Sequence, residues 1–143
     1  MIYGQDRGAM RRVFVEAWRK RRAAENLEPL ERQIADIVAM HTEYHSLLED
    51  GAVLQREFLP DGGAVNPFLH LGLHVALHEQ VATDRPAGVR ELYAAIARRH
   101  GDVHGAEHAM MDCLSAALFA AQSCGQPPDE TAYLAALRAL LER

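Results

Sequence analysis

The residues best suited to chemistry in this 143-residue chain are its eight histidines, all of which fall into i, i+4 relationships. His41 pairs with His45, His70 with His74 and His74 with His78, and His100 with His104 and His104 with His108. Random placement would give roughly 0.4 such pairs, so the spacing carries information. Residues four apart on a helix lie one above the other, so each set directs two or three imidazoles at one spot. Two stripes continue into a carboxylate one turn later, Glu49 after His45 and Asp112 after His108. Imidazole nitrogen combined with carboxylate oxygen suits iron, zinc, manganese or copper, and the absence of a cysteine-rich set argues against a zinc-finger type of site.

These histidines lie on the apolar sides of their helices. At about 100° per residue, His41 and His45 fall within the arc of Leu30, Ile34, Ile37, Val38 and Leu48. His70 and His74 share a side with Leu73, Leu77 and Val81. His104 and His108 fall between Met111, Leu118 and Phe119, with Asp112 at the edge of that arc. Buried imidazoles must be hydrogen-bonded, paired or metal-bound, and one metal satisfies several at once. The expected metal ligands are therefore His41, His45, His70, His74, His104, His108 and Asp112. Whether His78, Glu49, Glu79 or Glu107 join them stays open. His100 is set aside because Gly101 and Asp102 interrupt its helix. His104, Glu107 and His108 also spell the H-x-x-E-H of inverted zinc peptidases. Those enzymes need a distant further ligand and a large substrate-binding body, and only 35 residues follow His108.

The elements that must position these side chains read as helices throughout, because helical spacing of apolar residues recurs and strand-like alternation does not. The expectation is an all-α, single-domain bundle of about six helices spanning residues 1–143. Met10, Val13, Phe14, Ala17 and Trp18 mark a first helix from about Asp6 to Ala24. Pro29 starts a second that runs to about Asp50, where Gly51 ends it. Phe58 to Val65 reads as a loop, and Asn66 with Pro67 restarts a helix that ends near Asp84. A fourth runs from about Ala87 to Arg99, a fifth from an Asp102 cap to Gly125, and a sixth begins at an Asp129 cap.

Composition bounds the rest. A chain of this length with 49% hydrophobic residues can bury a core without disulfides. Cys113 and Cys124, eleven residues apart on one helix, are separated by about 16 Å and cannot bridge each other. The net charge of −5 argues against a nucleic-acid partner, and the basic cluster of Arg11, Arg12, Arg19, Lys20, Arg21 and Arg22 reads as a solvated face. No apolar run is long enough for a bilayer span or a signal-peptide core, so the expected location is cytoplasmic with no membrane partner. Homo-oligomer formation stays open.

The motifs together resemble the proteobacterial domain-of-unknown-function family 1841. The likeness runs from the aromatic, basic opening helix through His41-Thr42-Glu43-Tyr44-His45 and Asn66-Pro67-Phe68-Leu69-His70 with His74 and Glu79-Gln80. It continues through His104, His108 and Met111-Asp112-Cys113-Leu114. The resemblance implies a small bacterial cytoplasmic protein, imports no activity, and leaves His78, His100 and Glu107 outside its pattern. Hemerythrin-like and DinB-like bundles are similar in architecture and ligand chemistry only. The leading expectation is a metal-binding bundle with a His-rich, dinuclear iron centre for oxygen, redox or metal handling. The alternatives are a mononuclear hydrolase or transferase, with zinc as the alternative metal, and a metal-free interaction protein with a buried histidine seam.

Overall fold

The structure is a computed structural model that describes residues 7–50, 53–54 and 66–142. Its helices are α1 (Arg7–Arg22), α2 (Pro29–Met40), α3 (His45–Leu48), α4 (Pro67–Thr83), α5 (Val89–His100), α6 (Val103–Cys124) and α7 (Glu130–Leu140), with a 3-10 turn at Thr42–Tyr44. The fold is all-α, with no strand among the described residues. None of these helices is long and apolar enough to cross a membrane. The expected start at Asp6, the stop at Gly51 and the loop from Phe58 to Val65 lie outside the described residues. The chain divides into two compact units, Met1–Val75 and Ala76–Arg143, and α4 contributes its first half to one and its second half to the other.

In the first unit, Phe14, Ala17 and Trp18 of α1 join Ile34, Ile37 and Val38 of α2, together with Leu48, Val53, Phe68 and Leu71, in one apolar core. Carboxylates occupy the basic end of α1. Arg19 pairs with Glu16 and Glu25, Lys20 with Glu31 at 2.9 Å, Arg21 with Asp36, and Arg22 with Glu49 at 3.7 Å. The Lys20 ammonium, with help from the Glu28 backbone N–H, holds the Glu31 carboxyl below the usual carboxylate range. The cluster is thus largely neutralised within the unit, and Arg11 is buried, donating to the Val53 carbonyl at 3.3 Å with its guanidinium over the Phe68 ring.

The expected single helix from Pro29 to Asp50 is instead two helices with a 3-10 turn between them. The backbone N–H of His41 reaches the Val38 carbonyl rather than continuing the α-helical ladder, while the Ile37 carbonyl is taken by His41 Nδ1 at 2.7 Å. His45 Nε2 lies 2.8 Å from the Val38 carbonyl. The His41 imidazole therefore takes the carbonyl of Ile37, which the helix end leaves without its backbone donor, and the His45 imidazole adds a second donor to the Val38 carbonyl. No glycine or proline stands between Met40 and His45 to announce this in the sequence.

In the second unit, α5 and α6 are joined by two residues, so they lie antiparallel as a hairpin. The 12 residues of α5 cover only the first half of the 22-residue α6. The buried stripe of α6, Ala106, Glu107, Met110, Met111 and Leu114, stops there. Leu118 and Phe119, expected to flank the histidine face, lie beyond it and are exposed. No disulfide joins Cys113 and Cys124.

The caps fall where the sequence puts them. Gly101 closes α5 at φ 72°, the left-handed region that glycine enters without strain. Asp102 then accepts from the Gly105 N–H at 3.1 Å, and Asp129 accepts from the Ala132 N–H at 3.0 Å. A Cβ on residue 105 would sit 2.8 Å from the Asp102 carboxylate, so glycine there makes room for the cap. Asp102→Ala is expected to cost about 1 kcal/mol, read as a shift in the urea unfolding midpoint at unchanged slope.

Candidate metal centre

Three histidines of the first unit converge. His41 leaves the end of α2, His70 and His74 project from successive turns of α4, and their ring nitrogens lie within 4.8 Å of one another. The His41 ring centroid is 4.9 Å from that of His70 and 5.1 Å from that of His74, with the rings nearly perpendicular. His41 and His74 are fully buried, and His70 is half-buried.

The backbone sets the chemistry of His41. A carbonyl can only accept, so the 2.7 Å contact with Ile37 places the imidazole proton on Nδ1 and leaves the lone pair of the neutral ring on Nε2. That Nε2 faces His70 Nε2 at 3.1 Å. Without an ion the pair is a hydrogen bond, with His70 donating. Ring nitrogens bound at adjacent positions of one ion, with metal–nitrogen bonds of about 2.1 Å, stand about 3 Å apart, so the same geometry admits a cation in place of the proton. A ligating imidazole whose other N–H is fixed by a carbonyl is the usual arrangement in metal sites. Tyr44 closes one side, stacked on His41 at 5.7 Å and edge-on to His70 at 5.9 Å. Burial raises its phenol above the ordinary tyrosine range.

The structure does not bring His45 into this group. The break after Met40 rotates it away, its ring lies 4.3 Å from the Trp18 ring, and its Nε2 N–H is spent on Val38. Glu49, one turn on, accepts from Trp18 Nε1 at 3.2 Å and pairs with Arg22.

In the second unit, His104 and His108 stand together on α6 with ring centroids 4.1 Å apart, both half-buried. Asp112 is exposed and lines an open groove of 680 Å³ between α6 and α7. His100 and Glu79 are exposed. The second unit also contains a polar cluster that the histidine spacing alone did not single out. Glu107 Oε2, buried on α6, accepts from the Tyr93 hydroxyl of α5 at 2.7 Å and lies 2.8 Å from His78 Nε2 of α4. Its signal in the sequence is positional, because Glu107 stands three and four residues before Met110 and Met111 and seven before Leu114, inside the apolar stripe. A carboxylate at such a position must be partnered.

The chain thus has histidine and glutamate groups that can hold a metal. A family model described as Domain of unknown function (DUF1841) matches residues 6–139. No curated protein matches the chain. No solved structure matches it either.

Proposed function

The chain belongs to the DUF1841 family, whose description names no activity, and from the site itself we propose that the protein binds one divalent transition metal, iron or zinc, through His41, His70 and His74. The observation that carries this reading is the pair of ring nitrogens facing each other at 3.1 Å, with the proton of His41 held on its far nitrogen by Ile37. Imidazole nitrogens are donors that suit both iron and zinc. Iron extends the reading to oxygen or redox chemistry, and zinc to hydrolysis or group transfer. The three imidazoles of this unit can be held by a single ion, and the reading is of one ion here.

The test is the metal content of protein purified without a histidine tag. One equivalent of iron or zinc per chain is expected, removable by chelator with a fall in the thermal midpoint, since an ion held only by the folded state stabilises it by mass action. Protein that gains neither bound metal nor thermal stability on titration with zinc or ferrous iron would refute the reading.

A further inference from the structure

The buried cluster of the second unit shares no residue with this trio and has a different donor set. His78, Tyr93 and Glu107 come from α4, α5 and α6 and offer one imidazole nitrogen, one phenol oxygen and one carboxylate. The nitrogen and the phenol oxygen approach the same carboxylate oxygen, at 2.8 and 2.7 Å. Donors to one ion, bound at about 2.0–2.2 Å in adjacent positions, stand about 3 Å apart, so little movement separates this network from a coordination sphere. The Glu107 side chain is 5% exposed and that of His78 is 29% exposed, which gives an ion an approach past the imidazole to an otherwise buried carboxylate.

We infer that His78, Tyr93 and Glu107 form a second metal site, selective for ferric iron. Two oxygen donors and one imidazole make a hard set, suited to a small, highly charged cation. In the metal-free protein the Tyr93 hydroxyl keeps its proton and donates it to Glu107 Oε2. A bound cation inverts that preference, and a trivalent one does so most strongly. On binding, Tyr93 loses its proton to solvent and ligates as phenolate, while His78 ligates through Nε2 with its proton on Nδ1. The iron enters as ferric ion, so no electron moves.

Phenolate bound to ferric iron absorbs visible light by charge transfer, a signature that a purely structural hydrogen-bond network does not produce. Full-length protein titrated with ferric citrate is expected to develop a visible band at one equivalent. The band should vanish in Tyr93→Phe and persist in Tyr44→Phe, whose ring lies against the trio. It should also persist in a His41→Ala/His70→Ala double variant, so that loss of the trio site and loss of this one are read separately. Absence of the band in the wild type, or its survival in Tyr93→Phe, would overturn the proposal. If Tyr93→Phe fails to fold by circular dichroism, His78→Asn takes its place, with ferric binding expected to weaken at least about 10-fold; an unchanged titration would equally overturn it.

Discussion

Replacing His41 by alanine is expected to weaken zinc or ferrous-iron binding by more than about 100-fold, since even groups that only orient a ligand are worth about 10- to 100-fold in metal affinity. The neighbouring His45→Ala should leave that affinity within a few-fold of wild type, because His45 faces Trp18 and Val38 rather than the trio. It should cost stability instead, about 1–2 kcal/mol, from one lost hydrogen bond and one lost ring contact. Competition against a chromophoric chelator measures the first quantity and urea unfolding the second. The two histidines are four residues apart and look equivalent in the sequence, so the contrast is a direct test of the helix break between them. Equal loss of affinity in both variants would mean that the imidazoles act together and that the trio is not the binding unit.

The largest stability effect is expected at Glu107. Its truncation to alanine takes the acceptor from the part-buried Tyr93 hydroxyl and removes the contact with His78 Nε2, and a polar group that loses its partner away from water costs roughly 1–3 kcal/mol. A cavity is left as well, so the total is about 3–5 kcal/mol. That is a large share of the 5–15 kcal/mol that typically separates folded from unfolded protein, so the variant should be partly unfolded near physiological temperature. Glu107→Gln keeps an acceptor oxygen for Tyr93 and a shape close to the original, and about 1 kcal/mol is expected from it. Because the single tryptophan belongs to the first unit, circular dichroism rather than fluorescence should follow this unfolding. A Glu107→Ala protein as stable as wild type would show that the cluster contributes nothing to the fold.

The helical elements were legible because their signals are local. Asn66-Pro67, Gly101-Asp102 and Asp129 each mark a terminus through the chemistry of one or two residues, and Asp102 and Asp129 make the expected capping bonds. The break at His41 was illegible for the opposite reason. It depends on two side chains competing for the carbonyls of Ile37 and Val38, and nothing in their identity distinguishes that from an uninterrupted helix. The site was half legible on the same grounds. His70 and His74 share a continuous helix, so their spacing kept its meaning, whereas His41 and His45 lost theirs when the helix stopped between them. Asp112 was placed at the margin of an apolar arc that included Leu118 and Phe119, but α6 outruns α5 and that arc is not the buried one. Glu107 was visible as a carboxylate in an apolar stripe, yet its partners Tyr93 and His78 lie 14 and 29 residues away, beyond the reach of any periodicity.

The Ile37 carbonyl that fixes the proton of His41 has a kinetic consequence. An imidazole free to exchange tautomers must wait, in the wrong form, for a proton to travel between its nitrogens through water before it can accept an ion. His41 is fully buried, away from bulk solvent, and its backbone partner removes the need for such a transfer. The ring is permanently primed, and the proton that must leave is the one shared with His70, the only half-buried member of the trio. Capture and release are therefore governed at the solvent-facing edge of the group rather than at its interior, so a substitution that shields His70 should slow both directions alike while leaving the equilibrium nearly where it was.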